Sequence, residues 1–251
     1  MAAPHPKGDG RFPTTEWTLV ARLKHEDAEV CTRALNELCA QYHYPLYCLI
    51  RARGLAHHDA EDALHDFLAK LLRLESFNDL GAEKGRLRTF LAKTLERALI
   101  TRHHQEKKRA QREVSLDDTQ AFPLDPDIEN RYAREISGGA APDTLYDRKW
   151  CEQLLQRVLG TLEDEYAGRD KHRFFEVMRP VLLAGGSLRG HDPAALAATL
   201  NMTEPALRTA LVRLLRDYRR LLEHEVRQTV DSQEAVEAEI ADLMAALSRQ
   251  G

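Results

Sequence analysis

Apolar residues in this chain recur at a period near 3.6 almost from end to end, and no segment sustains the alternation of a half-buried strand. That pattern restricts the chain to helices packed on helices. Composition agrees: aromatic residues are 6% and charged residues 30%, a profile that suits helical modules better than a β-sandwich. The expected fold class is all-α. At 251 residues the chain can form one large domain or two small ones.

The sequence has no run of about eighteen apolar residues, so no transmembrane helix is expected. Residues 1–12 lack the apolar core of a signal peptide and read as a disordered tail ending at Phe12 and Pro13. A cytoplasmic protein, with no membrane partner, is the expectation. Cys31, Cys39, Cys48 and Cys151 have no C-x-x-C spacing, which argues against a zinc knuckle or a dithiol redox pair. Three of them fall in one apolar helical stretch, where cysteine serves as a small buried hydrophobe.

Thr14 or Thr15 can cap a first helix carrying Trp17, Leu19, Val20 and Leu23. A second stretch runs from about Glu26 to Arg53, bent or interrupted at Pro45 and ended by Gly54. A third, about His58 to Leu74, has Leu64, Phe67, Leu68, Leu71 and Leu72 on its apolar side. Ser76 to Glu83, with Asn78, Asp79 and Gly81, reads as a loop. Lys84 to Arg112 follows, with ten Lys or Arg against two Glu and with Leu87, Phe90, Leu91, Leu95 and Leu99 at helical spacing. The whole chain carries a net charge of −4, so this basic charge is concentrated. A helix that buries one face and offers a cationic one suits nucleic acid, although many Lys/Arg-rich helices are only solvated faces. These elements make a first helical domain, residues 13–112.

The charge then reverses. Residues 113–143 hold eight acidic residues against two Arg, three prolines and a Gly-Gly pair, and read as a linker that is partly ordered at most. Its acidity suggests a solvated linker, a shield for the basic helix, or an occupant of a partner's basic channel. Helices resume at 144–166 and 171–184, the second holding Pro180 and closed by Gly185 and Gly186.

Residues 191–226 have the grammar of a helix-turn-helix. Asp192 is an N-cap and Pro193 stands at the first helical position. Leu196, Ala197 and Leu200 line a short helix, with Ala197 and Ala198 small enough for a close crossing. Asn201 can take the left-handed conformation that ends it, and Met202 fills the angle. Thr203 caps the next helix, whose first turns would offer Thr203, Glu204, Arg208, Thr209 and Arg213 to a groove. Leu207, Leu211, Leu214, Tyr218 and Leu221 also fit a four-three seam, so an ordinary packed helix is the competing reading. The second domain is 144–224, and 225–251 is an acidic helical extension.

Taken together, these segments resemble an extracytoplasmic-function (ECF) sigma factor of the sigma-70 family. DAEDALHDFLAKLL (59–72) is similar to that family's region 2 helix, and Lys84 to Arg112 to the helix after it. LAATLNMTEPALRTALVRLLRDYRRLL is similar to the region 4 helix-turn-helix. FPTTEWTLV, SLDD, ENRYAREISGGAAPDTLYDRKW and an acidic helical tail, in that order, are similar to segments of one subgroup. The resemblance covers nearly the whole chain.

It implies two helical domains, a region 2 bundle and a region 4 helix-turn-helix, joined by an acidic linker. It implies a protein that is not an enzyme and needs no cofactor or metal. Its partners would be RNA polymerase core and promoter DNA, duplex at −35 and melted at −10; an anti-sigma or kinase-linked regulator is compatible with it. Region 2 contacts would come from Arg86, Arg88, Lys93, Arg97 and Arg102, with Asn78 and Asp79 on the loop that holds a flipped base. Region 4 contacts would come from Thr203, Glu204, Arg208, Thr209 and Arg213. Asp59, Glu61, Asp62 and Asp66 would dock on the polymerase, and the linker would lie in its basic channels. The chain departs from the family's pattern at His65, at His103-His104, and at Val212, where many members have histidine.

Two other readings stand beside this one. A DNA-binding regulator that does not support initiation would share every DNA-binding residue. The pairs His58-Asp59, His65-Asp66 and His191-Asp192, with Glu61 and His65 on one helix face, suggest a helical metal-dependent phosphohydrolase. The tail, with Val226, Val230, Val236, Ile240, Leu243 and Leu247 along one side, either caps region 4 or latches over a DNA- or core-binding surface.

Overall fold

The computed structural model describes residues 18–23, 27–73, 86–109, 127–136, 141–230 and 232–248. Among the described residues all regular structure is helical. In chain order the helices are α1 (Thr18–Leu23), α2 (Ala28–Ala52), α3 (His57–Arg73), α4 (Leu87–Arg109) and α5 (Ile128–Glu135). They continue with α6 (Pro142–Ala167), α7 (His172–Leu183), α8 (Pro193–Thr199), α9 (Glu204–Arg227) and α10 (Gln233–Ser248). The chain forms two compact units, 1–150 with 227–251 and 151–226. The expected boundaries are after 143 and 224; the unit boundaries at 150/151 and 226/227 fall within α6 and α9.

The first unit is built around α2. Asp27 stands in extended conformation before it, and its carboxylate accepts the Glu29 N–H at 2.8 Å. Every residue from Gln41 to Ile50 is buried. Pro45 lies inside an unbroken helix, so the expected interruption does not occur. Its ring removes one donor, a loss that burial of the surrounding apolar side chains outweighs. Arg53 ends the helix and Gly54 follows at φ +97°, a conformation that costs a residue with a Cβ.

α2 packs against α1, α3 and α4, and α3 against α4. The buried positions of α3 are Ala60, Ala63, Leu64, Phe67, Leu68 and Leu71, and those of α4 are Leu87, Leu91 and Leu95. These are the apolar faces that the periodicity marks. Trp17, the 76–83 loop, the side chains of 105–109, residues 110–112 and the first part of the acidic stretch lie outside what is described.

Part of the presumed linker is a helix of this unit. On α5, Glu135 accepts from Tyr44 Oη at 2.9 Å, Lys149 Nζ at 2.7 Å and Arg131 Nε at 3.0 Å. Burial pushes its carboxyl up, but those three donors more than offset it and hold the pKa at about 2. Glu129 accepts from Arg51 Nη2 at 2.8 Å and from Tyr47 Oη. Among the described acidic groups of this stretch, Glu129 and Glu135 meet Arg51, Arg131 and Lys149, Asp127 pairs with Arg134, and the exposed Asp143 pairs with Arg53.

The second unit has Leu154, Val158, Leu162, Phe175, Met178, Val181, Leu207, Leu214 and Val226 at its core. α7 passes through Pro180 and closes where the Gly186 N–H reaches the Val181 carbonyl at 2.9 Å. Gly186 has φ +72°, and a Cβ there would stand 2.3 Å from Leu215 Cδ2. Glycine suits this turn best, since another residue would be strained at that φ and would displace Leu215.

Candidate nucleic-acid interfaces

The helix-turn-helix of the second unit forms from local signals. Asp192 accepts the N–H groups of Ala194 and Ala195 at 2.9 and 3.1 Å, and Pro193 opens α8. Asn201 takes φ +51°, and the Met202 N–H returns to the Ala197 carbonyl at 3.0 Å. That is the left-handed closure that frees the chain to turn. Thr203 Oγ1 lies 3.4 Å from the Ala206 nitrogen at the start of α9. Ala197 is buried, whereas Ala198 is exposed.

The seam of α9 is buried at Leu207, Leu211, Leu214 and Leu221, while Tyr218 is half-buried. Asp217 is also buried, held by Arg169 Nη1 at 3.1 Å and Tyr166 Oη at 3.3 Å. Outside that seam, Thr203 before α9 and Glu204, Arg208, Thr209 and Arg213 on it are all exposed. A buried seam and an exposed polar face thus coexist on one helix. Thr209 Oγ1 donates to the Pro205 carbonyl at 2.9 Å, which commits its one donor hydrogen inside the helix. Arg208 meets Glu204 only at 3.8 Å, a loose exposed pair. Thr209 and Arg213 border an open groove of about 670 Å³ that also involves Tyr166, Phe174 and Met202.

In the first unit, α4 divides its basic residues into two sets. Lys93 and Arg97 are exposed, as are His103 and His104. Arg102 is half-buried and 3.5 Å from Asp66. Arg88, expected on the cationic face, is buried instead. Its Nε and Nη2 donate to Glu239 at 2.6 and 3.2 Å, its Nη1 pairs with Asp147, and its Cζ lies 5.3 Å over the Trp150 ring. Burial lowers its pKa, but Glu239 and Asp147 more than reverse this and leave it raised. Arg86 pairs with Glu239 at 2.7 Å and with Asp242. Arg86 and Arg88 are therefore not part of the solvent-facing set in this conformation.

Their partners come from α10. Val236, Leu243 and Ala246 of that helix are buried in this unit, and Glu239, between them in register, is 0% exposed. The tail from Arg227 onward groups with the first unit. The sequence held a signal for this arrangement: Glu239 interrupts the apolar side at Val236, Ile240 and Leu243, and a carboxylate at a core-facing position needs a cation. Asn78 and Asp79 lie outside the described residues.

On α3, Asp59, Asp62 and Asp66 are exposed and spaced to share one face. Glu61 is half-buried and turned to His57 Nε2 at 3.4 Å and His58 Nδ1 at 3.8 Å. Among the described residues, His57, His58 and Glu61 could hold a cation, their ligand atoms lying within 4.8 Å of one another. His65, the ligand suggested by the sequence, is not in that group. All three come from one helical turn, and His58 is almost fully exposed. A catalytic metal centre needs groups converging from several elements. Burial pushes the Cys39 thiol up to about 11 and the Cys48 thiol up to about 12, which disfavours their thiolates. No helix is long and apolar enough to cross a membrane among the described residues. Compared with protein-family models, with curated proteins and with solved structures, the chain finds no match.

Proposed function

We propose that this chain is an ECF-type sigma factor that binds RNA polymerase core and directs it to promoters. The observation that carries the reading is α8, its left-handed turn at Asn201, and α9 with its seam buried and its Arg208–Arg213 face exposed. That arrangement suits a recognition helix laid in a major groove. Two further features support it. The other unit carries an exposed Lys93–Arg97 face suited to single-stranded phosphates. The exposed Asp59, Asp62 and Asp66 on α3 suit a basic docking surface on a polymerase.

In this reading α9 contacts the −35 duplex and the Lys93–Arg97 face the melted −10 strand. In the free chain, α10 withholds Arg86 and Arg88 from that strand, since Glu239 and Asp242 occupy the guanidinium groups that phosphates would take. Replacing Arg208 and Arg213 by Ala tests the helix-turn-helix. Each change should weaken duplex binding by about 1–3 kcal/mol if the arginine reads a base. Unchanged anisotropy titrations for both variants would count against α9 as the reading helix.

A further inference from the structure

Among the described residues, four large apolar side chains are exposed, and Val212, at 66%, is the most exposed of them. A single exposed apolar residue is ordinary on a protein surface. The placement of Val212 is not ordinary. At about 100° per residue, Val212 projects at roughly 40° from Arg208 around the axis of α9, with Thr209 at about 100° and Arg213 at about 140°. It therefore stands between Arg208 and Thr209, inside the face proposed to enter the groove. Thr209 has already committed its hydroxyl hydrogen to the Pro205 carbonyl. Val212 thus offers hydrocarbon where Arg208 and Arg213 offer charge, beside a Thr209 oxygen that can only accept.

In the major groove only one base presents hydrocarbon, the C5-methyl of thymine. Arg208 and Arg213 can take phosphate or guanine, but neither can distinguish thymine by its methyl group. Resting on the proposed promoter-reading role of α9, we infer that Val212 is a specificity-determining residue that reads a thymine methyl in the duplex element. The contact excludes water from two methyl-sized surfaces and needs no hydrogen bond. A purine, or a cytosine lacking the methyl, leaves Val212 against water or a polar edge.

The test uses the full chain. A duplex library with a randomised stretch is selected on the wild-type protein, and each thymine of the selected duplex is then replaced by deoxyuridine. That exchange deletes the methyl and leaves base pairing intact. At one position the wild type should bind about fourfold more weakly, the worth of one buried methyl (about 0.8 kcal/mol). The V212A variant should bind the thymine duplex more weakly and lose its sensitivity to the exchange at that position. Val212 is exposed, so the variant retains the core, and circular dichroism checks this. Selection of a duplex with no position sensitive to deoxyuridine would overturn the inference and leave the role of α9 intact. Full sensitivity persisting in V212A would overturn it too. Failure to select any duplex would remove the promoter-reading role itself, and this inference with it.

Discussion

Arg88 and Arg97 lie on the same helix and have opposite fates. In sequence they are equivalent members of a basic run. In the folded unit Arg88 is enclosed by Glu239, Asp147 and Trp150, while Arg97 faces solvent. Substitution should separate them. Glu239→Ala leaves two guanidinium groups short of a buried partner and should destabilise the first unit by about 3 kcal/mol, read from urea denaturation. Arg88→Ala should act in the same direction, through stability. Neutralising Lys93 and Arg97 should leave stability within about 0.5 kcal/mol. It should lower the salt slope of single-strand binding by about 0.7 per lost contact. A lowered slope with Arg88→Gln at unchanged stability would contradict this division. The difference was not legible locally, because the partner of Arg88 is 151 positions away along the chain. Glu239 was the only local hint, as a carboxylate in an apolar register.

At the scale of elements, what the sequence revealed were features written within a few residues of one another. α3 was legible from Leu64, Phe67, Leu68 and Leu71, and α8 from Asp192 and Pro193, because periodicity and caps are local. Pro45 allowed a bend or an interruption, and the helix is not interrupted: its cost is fixed locally while its tolerance is decided by burial around α2. α5 was hidden for the same reason. Its eight residues are too few to be helical alone and are held by contacts with α2 and α6.

That dependence gives α5 a pH signature. Glu135 has its pKa lowered from the ordinary 4.5 to about 2. Its contribution to stability is complete above the unfolded value and is lost as pH falls from about 4.5 through about 2. Wild-type chain should therefore lose more stability than Glu135→Gln over that window, measured as the shift of the urea midpoint. Parallel pH profiles for the two proteins would show that Lys149, Tyr44 and Arg131 do not hold this carboxylate.

At the scale of the whole molecule, the chain returns to its first unit at its end. α10 supplies Val236, Leu243 and Ala246 to that core together with Glu239. It therefore serves packing and, on the proposed function, restraint. Ending the chain after Val230 should free Arg86 and tighten single-strand promoter binding, with the salt slope steeper by about 0.7. It should also lower the stability of the first unit, because buried apolar groups are exposed. Lower stability with unchanged binding would leave α10 a packing element and remove the restraint.

The proposal as a whole concerns what the chain does to a polymerase. Multi-round transcription by purified core enzyme, on a genomic promoter library with and without this protein, measures that directly. New, discrete transcripts that depend on the protein are predicted, and they should disappear with the paired Arg208→Ala and Arg213→Ala substitutions. Core binding without any new transcript would contradict the initiation role and leave a DNA-binding regulator in its place.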